Sequence, residues 1–316
     1  MDSDDIVLRR LERDSHERCS QCGRLFTRGD NAHSGFLGDG SAAFVGDCCA
    51  GKLVRTAHKR YWFPLSFEMP PSDAVLWRYM DLAKFIALLK DQSLYFARSD
   101  LLGDPFEGAK GSQRRRADWD SFYLESFREA VRNPPPGVDI SLSSEEVEAE
   151  AQRLLREMEA GGSARRRMTY VSCWHESDHE SDALWARYGG DGSGAVAIRT
   201  TAGQLNEALG DDPGIHIGRV QYLDFSREFA GPNDAFFRKR RSFRHEREVR
   251  ALIDRFDPHA PKPGHLVPID VSVLIDSVVV SPIAPAWFSD VVREVGTRFR
   301  LEVEPVHSQL SDEPFF

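Results

Sequence analysis

The sequence predicts an α+β fold: a mixed, mainly antiparallel sheet with flanking helices and a helical insertion, preceded by a small zinc-ribbon-like module. Three observations carry this. Four of the five cysteines fall within the first 50 residues. From residue 75 onward, short strand-like apolar runs are interspersed with runs of helical period. Late in the chain the strand-like runs follow one another with few helices between, which favours antiparallel pairing over βαβ units. We therefore divide the chain into a cysteine-rich module, 1–66, and an α+β domain, 74–316, with the insertion at 111–167.

The elements follow in order. Cys19-Ser20-Gln21-Cys22-Gly23 is a CxxC knuckle. Two thiolates at that spacing reach one tetrahedral ion, and the glycine permits the tight turn. Cys48 and Cys49 come next; adjacent cysteines are poorly placed to share one ion, so one of them with His33 or His58 is the alternative set. An odd cysteine count argues against a disulfide framework. The expected cofactor here is a structural Zn2+, folded around by a module too small to bury much core. After an apolar connector ending at Pro70-Pro71, Val75–Tyr79 reads as a strand. Asp81 caps a helix with Leu82, Phe85, Ile86 and Leu89 at helical spacing. Ser93–Arg98 is a second strand and Gly103–Gly108 a turn-rich loop.

The insertion is charged and holds two helices, about 117–131 and 144–159, around a proline-rich break. Ser143 and Glu146 form a capping box, and Gly161-Gly162 is expected to stop the second helix. Strands then follow at Met168–Trp174, Gly194–Arg199, His216–Leu223, Glu248–Ile253, His265–Val271, Ser277–Val280 and Leu301–Val306. Helices are expected at Asp182–Tyr188, Ala202–Leu209, Asp234–Phe243 and Pro285–Phe299. The glycine-rich stretch 189–194 follows a helix and precedes a strand, the reverse of a phosphate loop, and reads as a turn.

Charge and hydropathy bound the function. The 316 residues carry 41 Lys and Arg against 50 Asp and Glu, a net charge of −9. A surface basic all over is excluded; a local nucleic-acid patch is not. The one dense basic stretch, Arg238-Lys239-Arg240-Arg241, reads as the solvated face of a helix or a phosphate contact. No apolar run approaches the ~20 residues a membrane helix needs. The acidic start, Met1 to Asp5, lacks the apolar segment of a secretory leader. The expected location is cytoplasmic, with no membrane partner.

Several segments form an ordered set: Leu76-Trp77-Arg78-Tyr79, Leu94-Tyr95-Phe96-Ala97, Asp104-Pro105-Phe106-Glu107-Gly108, Tyr170-Val171-Ser172-Cys173-Trp174, Leu184-Trp185-Ala186-Arg187-Tyr188, Gly194-Ala195-Val196-Ala197-Ile198 and Phe243 through Arg250. Together they resemble a bacterial family described as domain of unknown function 2971, which implies no defined activity. Within them, an arginine, a strand serine and Glu246-Arg247-Glu248 come in an order similar to the site of arginine-type mono-ADP-ribosyltransferases. That resemblance implies NAD as substrate and a protein or nucleic-acid acceptor, or simple cleavage of NAD. It implies that Glu248 stabilises an oxocarbenium-like state and holds a ribose hydroxyl, and that Glu246 deprotonates or orients the acceptor. Arg78 would fork onto the pyrophosphate and Ser172 hold the nicotinamide ribose, while Tyr79, Tyr95 or Trp174 packs on the nicotinamide. The chain departs from that family where a second serine is usual: the position is Trp174.

Two other readings compete. A zinc knuckle with a basic stretch suits a non-catalytic module that binds nucleic acid or protein. His175-Glu176-Ser177-Asp178-His179 matches the H-E-x-x-H pattern of a zinc-dependent hydrolase, but in a polar stretch leaving a strand. Trp185 and Tyr188, three apart, share one helix face, as core or as pocket lining. Cys173 reads as a core thiol.

Overall fold

The computed structural model describes residues 7–10, 18–19, 22–27, 31–36, 42–46, 67–133, 142–188, 194–210, 214–231, 234–255 and 262–316. The chain divides into two units, Met1–Ser66 and Phe67–Phe316.

In the first unit, β1 (Val7–Arg10), β2 (Asn31–Phe36) and β3 (Ala42–Gly46) form an antiparallel sheet in that order. The cysteine knuckle closes as a turn. Gly23 N–H donates to the Cys19 carbonyl at 2.8 Å, and Cys19 N–H to that of Arg24 at 2.8 Å. Gly23 sits at φ +74°, which a side chain would resist. Cys19 is buried and Cys22 exposed. Among the described residues no group of His, Cys, Asp and Glu is placed to hold a metal ion. Cys48, Cys49 and His58 lie outside the described residues, as does the His33 side chain.

The second unit is built on β4 (Val75–Asp81), β5 (Ser93–Arg98), β6 (Thr169–Glu176), β7 (Ala195–Thr201), β8 (Ile215–Arg219), β11 (Glu248–Asp254), β12 (Gly264–Pro268), β13 (Ser277–Val280) and β14 (Pro305–His307). These form one nine-stranded sheet, antiparallel except for the parallel pair β13–β14. The remaining strands, β9 (Gln221–Leu223) and β10 (Arg238–Arg240), pair in parallel apart from it. Helix α1 (Leu82–Asp91) is capped by the Asp81 carboxylate, as its sequence requires. Its Phe85, Leu88 and Leu89 meet Leu76, Met80, Leu94, Val249, Ala251 and Ile253 in the main core.

The insertion supplies α2 (Arg116–Arg132) and α3 (Ser144–Arg166). The Ser143–Glu146 capping box is present. The expected stop at Gly161-Gly162 is not: the helix runs to Arg166. Glycine costs a helix only about 1 kcal/mol, and here Gly162 admits Lys110, whose Nζ would lie 3.1 Å from any added Cβ. Further on, α4 (Asp182–Tyr188), α5 (Ala202–Ala208), α6 (Val271–Leu274) and α7 (Phe288–Arg298) are the other α-helices among the described residues.

The largest misreading is Asp234–Phe243. The helix expected there is a 3-10 turn, the strand β10 and a second 3-10 turn, Arg241–Glu246. Arg238 and Lys239 are buried, not on a solvated helix face. The expected strand His265–Val271 stops at Pro268, and Asp270 caps α6. The last strand starts at Pro305, four residues later than expected.

Candidate active site

The site begins with a fork in the sheet. β11 runs along one edge of β6 from Thr169 to His175. The other edge is shared: β5 pairs with Tyr170 and Val171, and β4 with His175 and Glu176. Between them Ser172, Cys173 and Trp174 have no strand partner on that edge. A cleft of about 760 Å³ opens there, lined by Trp77 to Met80, Leu94, Tyr95, Cys173, Trp174, Tyr188, Glu246 and Glu248 among others. That volume lies in the ~300–1,000 Å³ range of cofactor sites.

Arg78 crosses the fork. Its guanidinium donates to Ser172 Oγ and, at 3.3 Å, to the Tyr95 carbonyl. It lies 5.5 Å from the centroid of the Trp174 ring. Among the described residues no carboxylate comes within ion-pair distance of it. Burial lowers its pKa, slightly offset by Cys173, without threatening its charge. The Trp174 indole N–H, buried in the same wall, finds no acceptor.

Opposite stands a buried ionic cluster. Arg250 grips Glu107 with two bonds, 2.7 and 2.8 Å, and Glu248 through Nε at 2.6 Å. Its Nη1 also donates to the Phe236 carbonyl at 2.6 Å. Lys239 Nζ bridges the two carboxylates of the Glu-x-Glu pair, 2.6 Å to Glu246 and 3.0 Å to Glu248. Burial alone would raise the Glu248 pKa; Arg250 and Lys239 outweigh it and hold it at about 2. Glu248 is therefore ionised at neutral pH, and its oxygens are largely occupied. Glu246 differs: Oε1 accepts no hydrogen bond, although Arg187 Nη1 lies 3.1 Å away.

The two carboxylates are not brought together by the alternation of a single strand. Period two would place them along one strand. Instead Arg247 takes a left-handed conformation, φ +39°, and ends the strand before Glu246. Lys239 brings them back together. Alternation also puts Arg78, with Leu76 and Met80, on the main-core face, and Glu248, with Arg250 and Leu252, on the other. The fork is what lets both line one cleft.

Of the remaining expected residues, Tyr95 is half exposed at the cleft and presents its backbone carbonyl to Arg78. Tyr79 is buried edge-on to Trp185 at 4.9 Å, its hydroxyl accepting from Ser181 N–H, so it is a wall and not a stacking platform. Ser172 does not line the cleft itself; it anchors Arg78. Trp185 is core, whereas Tyr188 is 43% exposed and reaches the cleft. Lys239, Arg250 and Glu107, which the sequence offers as part of a basic run, a flank of the Glu-x-Glu pair and a proline-fixed turn, join one cluster, in which both cations pair with Glu107 and with the Glu-x-Glu carboxylates.

The H-E-x-x-H reading is corrected. His175 lies on β6, where its Nδ1 pairs with the Glu246 carbonyl at 2.6 Å, while Glu176 is clasped by Arg219 at 2.6 and 2.7 Å. His179 follows in a bend, so the two rings do not share a helical turn. Cys173 lies among Glu248 and Arg250, and burial with Glu248 pushes its thiol up, away from thiolate character.

No family model matches the chain, so the resemblance to the domain of unknown function 2971 family gains no support there. No curated protein matches it either. Among solved structures, the chain is similar to Thermus sp. 2.9 DarT in complex with NAD+, at 10% identity and a TM-score of 0.35, over 77% of this chain and 99% of that one. It is also similar to the same protein in complex with ADP-ribosylated ssDNA, at 11% identity and a TM-score of 0.33, over 77% and 96%. At those values the likeness assigns no residue a role. No helix among the described residues is long and apolar enough to cross a membrane.

Proposed function

We propose that the chain consumes NAD, transferring ADP-ribose to a protein or nucleic-acid acceptor or to water. The observation that carries the reading is the forked-sheet cleft, where a guanidinium without a carboxylate partner faces two carboxylates. An unpaired, pre-oriented guanidinium suits a pyrophosphate, which offers planar bidentate acceptors. Ser172 fixes that guanidinium. Trp174 offers ring surface beside it, and Tyr95 lines the same cleft.

When the nicotinamide–ribose bond breaks, its electron pair leaves with nicotinamide and positive charge builds on the ribose. Fixed carboxylates stabilise such charge best where water is excluded. Glu248 is held ionised for this by Arg250 and Lys239. Glu246, whose Oε1 accepts no hydrogen bond and has Arg187 Nη1 3.1 Å away, takes the acceptor proton. The first unit enters the proposal as a target-recognition module holding one structural zinc, with Cys19, Cys22 and Cys48 or Cys49 among its ligands; metal analysis of the purified chain, one zinc per molecule, tests this.

The deciding experiment is nicotinamide release from NAD by the chain, with and without a single-stranded oligonucleotide. Wild type should release it, and Glu246→Gln should lose at least 100-fold while still binding NAD by calorimetry, a readout that separates lost chemistry from the stability lost with the buried Lys239 partner. Failure of wild type both to release nicotinamide and to bind NAD by calorimetry sinks the reading.

A further inference from the structure

A second, smaller pocket of about 230 Å³ lies where the insertion meets the sheet domain. Its walls come from the 108–113 turn, the start of α2, the end of α3 and Phe229. It plays no part in the cleft chemistry.

Its charge is unbalanced. Lys110, Arg116 and Arg166 line it, against the single carboxylate of Glu159. Glu159 is bonded by Arg116, which is also held by Asp120 at 2.8 Å. That leaves Lys110 and Arg166 without a carboxylate within ion-pair distance among the described residues. Two donors in the same walls, Arg166 Nε and Ser112 Oγ, are buried and find no hydrogen-bond partner. A buried donor left unmade costs about 1–3 kcal/mol, so native proteins rarely keep two in the walls of one pocket without something to meet them.

Lys110 is also held in place. Its Nζ donates to the Met158 carbonyl at 3.1 Å and lies 5.6 Å from the Trp119 ring centroid. Gly162 gives it room: an added Cβ would meet Nζ at 3.1 Å. Burial and the nearby Arg116 both lower the Lys110 pKa, the response of a cation lacking a counter-charge.

We infer that this pocket binds a phosphate group, clasped by Lys110, Arg166 and Ser112. Cations unmatched by carboxylates call for an anion, and a hydroxyl lining the same pocket as two charged donors suits a tetrahedral oxyanion. The volume is below the ~300 Å³ at which whole-cofactor sites begin, so one phosphate group fits where a nucleotide does not. The group can come from free phosphate or from the backbone of a nucleic acid. The inference does not depend on the NAD reading, since no residue is shared between the two sites.

The test is calorimetric titration of inorganic phosphate into the full chain at low ionic strength. Wild type should bind, and Arg166→Gln and Lys110→Gln should each weaken binding about 10-fold or more, the worth of a charge-assisted hydrogen bond. Ser112→Ala, the mildest change, should cost about 3-fold and serves if either charge variant misfolds. Arg167→Gln, a basic neighbour outside the pocket, should bind as wild type. A single-stranded oligonucleotide then separates the sources. If the pocket variants weaken it and flatten its salt dependence by about one phosphate, the group belongs to a strand. If they leave it unchanged while phosphate binding falls, the group is a free phosphate. Absence of phosphate binding by wild type, or an equal loss in Arg167→Gln, overturns the inference.

Discussion

Glu248 shows how burial and pairing compete at one side chain. Its carboxylate is worth keeping charged only because Arg250 and Lys239 are beside it. Its pKa of about 2 lies below the unfolded value, so its contribution is present above about pH 4.5 and is lost as pH falls toward 2. Urea midpoints measured between pH 5 and 2 should therefore fall in wild type and fall less in Glu248→Gln. That variant should start about 3–5 kcal/mol less stable, because it leaves Arg250 and Lys239 short of a buried counter-charge. Arg78→Gln should behave differently. It removes no ion pair, so stability should change little, while KM for NAD rises at least 10-fold in steady-state assays. The order of Arg78, Ser172, Glu246 and Glu248 was visible in the sequence because each stands in a recognisable strand or motif. Their counter-charges were not. Glu107 is 143 positions from Arg250, and its Asp-Pro-Phe-Glu-Gly setting is fully explained as a turn until the fold brings Arg250 to it.

Two short backbone features set the site at the level of elements. The first is Arg247. Its left-handed conformation is one that glycine takes without the cost of about 1–2 kcal/mol borne by other residues. Arg247→Gly should be tolerated and Arg247→Val should lower the thermal midpoint, with Glu246 displaced and nicotinamide release reduced. The second is Gly108, at φ +69°, where an added Cβ would fall 2.4 Å from the Phe236 ring. Gly108→Ala should destabilise by about 1–3 kcal/mol, read by chemical denaturation, because both strain and overpacking act there. Strands and capped helices were legible where alternation or a capping residue marked them, as at Ser93–Arg98, Asp81 and Ser143. The segment 234–246 was not. A buried Arg238 and Lys239 violate the rule that basic runs face water, and carboxylates, Asp234 at Arg238 and Glu107, Glu246 and Glu248 at Lys239, offset that burial.

At the scale of the whole chain, every described residue lining the cleft belongs to Phe67–Phe316. A chain starting at Phe67 should therefore keep the nicotinamide release of the full protein within about 3-fold, apart from any dependence on a macromolecular acceptor. The α+β class and its antiparallel bias were readable from the spacing of strand-like runs. The fork was not, since nothing in a linear pattern says that β4 and β5 share one edge of β6. That fork has a kinetic consequence. Arg78 and Ser172 are 94 positions apart, and Glu107 and Arg250 are 143 apart. Contacts this remote in sequence demand the closure of long loops, including the entire helical insertion, before they return any stabilisation. The helices can form early and locally, but cleft and ionic cluster must come together late. In a stopped-flow refolding experiment, ligand-binding competence should lag the recovery of helical signal, and loosening the insertion should widen that lag.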